Sequence, residues 1–455
     1  MDEKYSALFT PWKIGNVEIK NRIVQCSMGG TSLFGWLEPC HFDKEAANFL
    51  LNRAQDGVGL VLPGMQCVRD TMGRRWLWQN KKMFKELADY MVEYHKTGSK
   101  LFIQLAAGFG RSMAVAPWMV TLNNNKVLGA LAKPVIDVSY CCASASATPN
   151  RWQEDMLSRP MTVEEIHEMV DAFGKTAKLL REAGVDGVEI HAVHEGYLLD
   201  QFTIANWNHR TDEYGGSLEN RCRFMVETLE GMRAAVGPDY PISLRVSGSD
   251  FMDGGCNGDD IAEICELLDK TGYVDGFSIT AGWHESAVPL ITMEVPHGAW
   301  AYLGRQIKAR VKAPVAQGMR MNIEKAEELV DRGDFDAIVM GRPFLADPDV
   351  VNKAEAGKAS TIRPCVGCNA KCLDMAMVSK PIGCIGNYEC NREEELEDEN
   401  GLMPTEKKSE HPEKILVIGA GPSGMEFARV AALRGHKVTI WEKRNRTIGL
   451  SLYAA

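Results

Sequence analysis

Eight short β-rich runs punctuate the first 345 residues, and a helical pattern follows each. The runs are 22–29 (RIVQCSMG), 58–64 (VGLVLPG), 100–106 (KLFIQLA), 187–192 (GVEIHA), 242–248 (ISLRVSG), 276–282 (GFSITAG), 314–319 (PVAQGM) and 337–343 (AIVMGRP). Near-continuous apolar runs of this kind suit parallel strands covered on both faces. Segment 162–183 shows the helical partner. Ile166, Met169, Val170, Phe173, Ala177 and Leu180 recur at spacings of three and four and so share one face. Thr162 with Glu165 forms a capping box, and Gly184 marks the end. Eight strand–helix pairs in series predict an α/β fold of the (β/α)8 barrel type. The rival is a doubly wound sheet, whose nucleotide fingerprint is missing from the first βα turn.

A barrel does its chemistry at the carboxyl ends of its strands. Those ends carry Ser27, Met28 and Gly29; Gln104; His191 to Tyr197; Arg245; Gly282 to His284; Gly318 and Arg320; and Gly341 and Arg342. The long stretch 107–161 is predicted to be an insertion over the same face, a lid or wall. Strands seven and eight end in AQGMR and MGRPFLADP, where barrels often seat a phosphate. Gly318 and Gly341 allow close approach there, and Arg320 and Arg342 add charge. A pair of arginines serving only helix starts is the weaker reading. Strand four ends in EIHAVHEGYLLDQF. Tyr197 can deliver a proton, and His191 and His194 can donate hydrogen bonds; the other reading of each histidine is a polar residue that merely closes the strand end.

Composition changes after residue 360. Cys365, Cys368, Cys372 and Cys384 are spaced C-x2-C-x3-C-x11-C, and Cys390 falls outside the pattern. A close triplet with a distant fourth suits the four converging thiolates of a cubane; zinc and a redox pair are the other readings. A charged run, REEELEDENG (392–401), reads as a solvated linker. Residues 414–443 then read strand–helix–strand, with Gly419, Gly421 and Gly424 in a dinucleotide-type turn and Glu442 23 residues past the first glycine, suited to a ribose hydroxyl. The expected domains are a barrel at 1–360, a cysteine segment at 361–390, a linker at 391–412 and a first βαβ unit at 413–455. One such unit is below ordinary domain size, so a truncated dinucleotide fold is expected.

Net charge is −10, which argues against a nucleic-acid partner. No apolar run reaches the roughly 18 residues of a membrane span. The opening MDEKYSALFTPWKIG lacks an export pattern, and thirteen cysteines then predict thiols or metal ligands in a reducing cytoplasm.

The motifs NRIVQCSMGG, IQLAAGFGR, HRTDEYGGSLENRCRF and VMGRPFLADPD together resemble the Old Yellow Enzyme family of flavin-dependent ene-reductases. With the cysteine segment and the glycine-rich turn, the chain is most similar to the subgroup holding bacterial 2,4-dienoyl-CoA reductase and 2-enoate reductase. The resemblance implies a barrel holding FMN, with Ser27, Met28, Gly29 and Gln104 beside the isoalloxazine. It implies Arg245 at the pyrimidine edge, where a cation stabilises a reduced flavin. Arg320, Gly341 and Arg342 would hold the phosphate. It also implies a [4Fe–4S] cluster on the four cysteines, serving as a one-electron wire, and a region for FAD and NAD(P)H. TAGWHES carries His284 over as the partner of Tyr197, and Glu195 is more like the 2-enoate reductases. One departure is Asn206, at or near the place of a substrate-contacting arginine in the dienoyl-CoA reductases. The implied activity is reduction of a C=C bond conjugated to a carbonyl in a 2-enoate, a dienoyl-CoA or a bulky enone. The alternatives are an electron-transfer flavoprotein subunit and an oxidative demethylase. Admitted partners are the small-molecule substrate, an electron-donor protein and a second copy of the chain.

Overall fold

The first strand, Ile23–Gln25, pairs in parallel with both Leu60–Val61 and Ala337–Met340, so the sheet closes on itself. In order around the ring the remaining strands are Lys100–Ala106, Gly187–His191, Ile242–Ser247, Gly276–Thr280 and Val315–Gln317, each parallel to its neighbours. An eight-stranded closed barrel therefore replaces the doubly wound rival. This computed structural model describes residues 3–35, 40–70, 75–378, 380–398, 403, 405 and 407–445. The chain divides into two units, Met1–Asn391 and Arg392–Ala455.

The covering helices begin where the sequence supplies side-chain acceptors for orphan N–H groups. Asp43, Asn80, Thr162, Ser217, Asn257 and Asn322 each accept a backbone N–H at the start of a barrel helix. The helix expected at 162–183 spans Val163–Glu182, with both halves of its Thr162–Glu165 capping box formed. Gly184 follows at φ +85°, a left-handed conformation that glycine adopts without strain.

Period-two alternation inside the ring decides what the barrel presents. In strand four, Val188 and Ile190 join the core facing the helices, while Glu189 and His191 lie beside the inward residues of neighbouring strands. In strand five, Ile242, Leu244 and Val246 join that outer core. Gln104 therefore stands next to Glu189, His191 next to Arg245, and Ser247 next to Thr280. At the amino end a hairpin, Trp12–Ile14 with Val17–Ile19, packs with Val24, Leu60, Phe102 and Val339 and plugs the ring. Gly187 is required there: a Cβ would fall 2.6 Å from the Phe102 ring.

The observed strands are shorter than the apolar runs. Pairing stops at Gln25 and Val61, and a short strand, Gln66–Cys67, resumes against the third strand. The chain between crosses closely over the ring: a Cβ on Gly64 would fall 2.6 Å from the Met28 carbonyl oxygen. Insertion 107–161 contains three short helices, Pro117–Asn124, Lys126–Ala132 and Val138–Cys141, around a small core of Val115, Met119, Ile136, Val138, Cys142 and Met156. It is bonded to the loops after strands four and six. Ser112 Oγ donates to the Gly196 carbonyl at 2.8 Å, and Arg151 Nη2 donates to the His284 carbonyl at 2.9 Å. Arg111 lies over the Trp207 ring and pairs with Glu285 at 3.0 Å. The stretch is thus a wall.

In the second unit, Lys414–Ile418 and Lys437–Trp441 pair in parallel around helix Pro422–Leu433. Gly419 has φ +103°, and a Cβ on Gly424 would fall 2.1 Å from the Gly419 carbonyl oxygen, so strand and helix meet at a spacing only glycine permits. Gly421 caps the helix. Glu442 Oε2 accepts the Ala420 N–H at 2.7 Å, closing the carboxylate onto the turn. The final IGLSLYAA, which departs from the glycine pair usual after this motif, lies outside the described residues, as does part of the charged run at 392–401.

Candidate active site

The carboxyl ends of the strands surround a cavity of about 430 Å³. Its walls include all the expected barrel residues: Ser27, Met28, Gly29, Gln104, His191, His194, Tyr197, Arg245, His284, Gly318, Arg320, Gly341 and Arg342. Cys365 and Cys372 line the same cavity, together with Leu373, Ala376 and Ile382 of the cysteine segment. Gly419, Gly421, Gly424 and Glu442 belong to the other unit.

On the cavity floor Gln104 Nε2 donates to Glu189 Oε1 at 2.5 Å, and Arg245 Nη1 donates to the Ser27 carbonyl at 3.0 Å. Burial pushes Glu189 up to about 7, against the opposing charge of Arg245 and the hydrogen bond from Gln104. Gln104 Oε1 and Arg245 Nε are buried without partners. Unmet donors and acceptors on a cavity floor are what a polar, planar ligand would satisfy.

A second cluster forms the roof of strand four. The Tyr197 ring stacks on His191 with centroids 4.8 Å apart, and Phe109 meets it edge-on at 4.8 Å. Tyr197 Oη lies 3.2 Å from His284 Nε2. Burial, then the charge of Glu195, holds the phenol well above its usual range, so it keeps its proton at neutral pH. Burial and the charge of Arg245 hold His191 and His194 well below theirs, so both rings are neutral. His194 Nδ1 faces Ser247 Oγ at 2.8 Å and Thr280 Oγ1 at 3.0 Å. The Ser247 hydroxyl donates to the Gly282 carbonyl at 2.8 Å, so Thr280 is the one placed to donate to Nδ1, and the tautomer that accepts it carries its proton on Nε2, toward Glu195. The Glu195 carboxylate sits between His194 Nε2 at 3.6 Å and His284 Nε2 at 3.5 Å. Glu195 reaches that position through a left-handed backbone, φ +56°, uncommon for a non-glycine residue. Gly196 beside it cannot be replaced: a Cβ would fall 2.5 Å from the Trp283 ring.

At the far end, Met319 (φ +71°) and Arg320 (φ +53°) are both left-handed, the kind of turn that aims successive N–H groups to one side. Arg320 and Arg342 bond only to neutral acceptors: Val295 and Met293 carbonyls for the first, the Ile291 carbonyl and Asn369 Oδ1 for the second. Among the described residues neither has a carboxylate within 4.0 Å. Burial and the charge of Arg342 lower the Arg320 pKa. Two close, unneutralised guanidinium groups make a seat for an anion. At Gly341, which lines the cavity, a Cβ would fall 2.7 Å from Cys26 Sγ.

The cysteine segment is fastened beside this seat. Asn387 Nδ2 donates to the Leu345 carbonyl at 3.0 Å, and the Arg363 N–H donates to Asp347 at 2.8 Å. Cys365 and Cys368 act electrostatically on both Cys372 and Cys384, whose thiols burial raises. Cys390 is buried in the barrel core. Among the described residues, the ligand atoms that gather within 4.8 Å of one another in threes are those of His191, His194 and Glu195, and no three cysteine sulfurs do so. Asn206 stands away from the cavity, against Gly254.

Sequence reading missed Glu189, Ser247 and Thr280. A lone glutamate at even spacing from His191 in a β-run was the available signal for the first.

Comparison with known proteins follows this geometry. The family described as NADH:flavin oxidoreductase / NADH oxidase matches residues 7–361, and that described as pyridine nucleotide-disulphide oxidoreductase matches 359–452. A metal reductase of Desulforamulus reducens is 39% identical over 99% of the chain and 62% of its own length. A cinnamate reductase of Clostridium sporogenes is 36% identical over 97% of the chain and 65% of its own length. The solved complex of 2-naphthoyl-CoA reductase with 2-naphthoyl-CoA superposes with a TM-score of 0.84, at 30% identity, over 98% of the chain and 66% of that protein. The chain thus spans somewhat under two thirds of these relatives.

Proposed function

As the chain belongs to the NADH:flavin oxidoreductase / NADH oxidase family, we propose that it is an oxidoreductase that reduces a carbon–carbon double bond conjugated to a carbonyl. The reading is carried by one observation: a buried, protonated phenol 3.2 Å from His284, stacked on His191 in the same cavity as the anion seat. A protein that only relays electrons has no use for a positioned proton donor.

The residues present fit FMN. Gln104 and Arg245 have unmet polar atoms on the floor, and Arg320 and Arg342 await an anion where its phosphate would lie. FMN held there would supply the hydride chemistry. His191 and His194 bind the carbonyl oxygen through ring N–H groups and stabilise the charge that grows there. Tyr197 holds its proton for the α-carbon, and His284 keeps the phenol oriented. Phe109 and the insertion wall exclude water from the phenol. The substrate classes this suits are 2-enoates, enoyl or dienoyl thioesters and bulky enones. The cinnamate reductase and 2-naphthoyl-CoA reductase relatives support the first two.

Cys365, Cys368, Cys372 and Cys384 would hold a [4Fe–4S] cluster, which supplies one-electron transfer. The close triplet with a distant fourth suits the four converging thiolates of a cubane better than the paired knuckles of a structural zinc. Gly419, Gly421, Gly424 and Glu442 form a turn suited to the FAD or NAD(P)H of the matched dinucleotide family. The amine-oxidising reading, which the N,N-dimethylglycine/sarcosine dehydrogenase of Chromohalobacter salexigens represents at 31% identity, lacks an aromatic cage: apart from histidines, Tyr197 and Trp283 are the aromatic rings lining the cavity among the described residues.

The test is anaerobic mixing of the flavin-reduced protein with enones, in wild type and Tyr197→Phe. The phenylalanine keeps the stacking on His191 and Phe109 and removes only the acid. Flavin content should not change, and flavin oxidation should slow about 10²–10⁴-fold. A variant within about twofold of wild type would remove Tyr197 from the mechanism.

A further inference from the structure

At the end of strand four, His191, His194 and Glu195 bring two ring nitrogens and a carboxylate oxygen within 4.8 Å of one another, and all three residues line the cavity. His191 closes the strand, and the two histidines are 5% and 3% exposed. Glu195 keeps its side chain 35% exposed, so an ion can reach the set through the cavity. Ligands about 2.1 Å from a tetrahedral ion stand about 3.4 Å apart. His194 Nε2 and Glu195 Oε1 are already 3.6 Å apart. Closing a triangle with sides of at most 4.8 Å onto an ion asks each atom to move inward by less than about 1 Å. Two imidazoles and one carboxylate suit zinc and its borderline neighbours, whereas magnesium and calcium call for oxygen ligands.

The outer partners of such a site are present as well. A ligating histidine turns its other N–H to an oxygen, which orients the ring. Ser247 Oγ, 2.8 Å from His194 Nδ1, gives its own hydrogen to the Gly282 carbonyl and is left to accept. Thr280 Oγ1, 3.0 Å from the same nitrogen, has the Val246 carbonyl at 3.3 Å as another acceptor. On taking an ion, His194 exchanges its Nε2 proton for one on Nδ1, and the Thr280 hydroxyl turns to Val246. The ring stays neutral, and its Nε2 lone pair faces Glu195. His191 Nδ1 has no hydrogen-bond partner, so a metal bond at that nitrogen breaks none. We propose that His191, His194 and Glu195 form a binding site for a borderline divalent transition-metal ion, with Zn²⁺ as the type case, and that the bound ion closes the cavity to a carbonyl substrate by occupying the two histidines that would hold its oxygen. Three protein ligands leave the fourth position to water. The closing of the cavity rests on the proposed reaction; the binding of the ion does not.

Equilibrium dialysis of the full chain as purified, against Zn²⁺, tests the site. Glu195→Gln should weaken one Zn²⁺ more than about 100-fold, beyond the 10–100-fold worth of an outer partner. Ser247→Ala should weaken the same ion about 10-fold. Unchanged flavin content shows that each variant has folded; should Glu195→Gln fail to fold, Ser247→Ala and the wild-type spectrum still decide. X-ray absorption at the zinc edge should show a nitrogen and oxygen shell at about 2.0–2.2 Å. A shell of sulfur at about 2.3 Å would put the ion on the cysteines and overturn the site. Equal Zn²⁺ binding by wild type and Glu195→Gln overturns it too. In the activity arm, flavin oxidation by an enone, Zn²⁺ should raise the half-saturating enone concentration and leave the limiting rate unchanged. A lower limiting rate at unchanged half-saturation overturns the closing of the cavity. If no enone is reduced by any form, the proposed reaction fails, and dialysis and X-ray absorption still decide the metal site.

Discussion

Replacing Glu189 by glutamine tests the electrostatics of the barrel floor without reference to any substrate. Glu189 is 2% exposed in mid-strand, with Gln104 bonded to one oxygen and Arg245 on the neighbouring strand. Burial outweighs these partners and raises the carboxyl from 4.5 to about 7. An unfolded chain releases this proton near 4.5, whereas the folded chain keeps it until about 7. Folding therefore binds a proton across that window, and stability falls as pH rises through it. At 1.36 kcal/mol per unit the whole fall is about 3 kcal/mol, after which the curve is flat. The Glu189→Gln variant binds no proton there, so its stability relative to wild type should climb by about 3 kcal/mol between pH 4.5 and 7. Urea unfolding of both forms, followed by tryptophan fluorescence at half-unit steps of pH, reads this difference. A difference flat to within about 1 kcal/mol would mean that Arg245 holds Glu189 ionised against the pull of burial.

Arg342→Ala should weaken FMN binding about 10–100-fold, the worth of one or two charge-assisted hydrogen bonds, while riboflavin affinity, read by the same fluorescence titration, stays constant; equal losses would place the guanidinium away from the phosphate. Cys368→Ser, at an exposed position, should strip iron and sulfide from the purified protein and leave barrel unfolding within about 0.5 kcal/mol of wild type; a collapse of the barrel transition would make the cysteine segment part of the fold. Limited proteolysis should leave a resistant fragment ending near Asn391, because both strands of the second unit bare apolar side chains, with Ile418 81% and Trp441 63% exposed; cleavage first within 107–161 would contradict the bonded wall.

The barrel was legible because two periodicities agree along the chain. The helix at 162–183 shows apolar spacing, cap and stop together, and each was found where expected. Strand ends were less legible. An apolar run does not reveal where its pairing stops, and that point depends on crossings such as Gly64 over Met28. The residues named for the cavity came together because all sit on one end of the ring, a consequence of topology alone. Their internal wiring was hidden. Glu189 reads as an odd residue in an apolar run until strand register puts Gln104 beside it, and Arg245 two residues along the strand on its other side. The hydroxyls of Ser247 and Thr280 pass for ordinary strand residues until both are found at His194 Nδ1.

That wiring has a common logic. Outward positions of strands three to six are apolar and are satisfied by helices, so selection on them is for packing. Inward positions past the plug carry Gln104, Glu189, Arg245, His191, Ser247 and Thr280: Gln104 bonds Glu189 on the next strand, Arg245 bonds the Ser27 carbonyl, Ser247 and Thr280 hold His194, and Gln104 Oε1, Arg245 Nε and His191 Nδ1 are left for a ligand. Polar side chains so tightly paired cannot swing, and the cavity they floor is preorganised before any ligand enters it. Burial then separates their proton affinities. The phenol of Tyr197 is held protonated, His191 and His194 are held neutral, and Glu189 is moved toward neutrality. Among the described residues, Arg245, Arg320 and Arg342 are the arginines that line the cavity wall. A fixed proton donor, neutral N–H donors and a line of guanidinium groups suit negative charge, which is what the proposed reaction asks of the site: an anion at one end, and at the other the oxygen of a conjugated carbonyl.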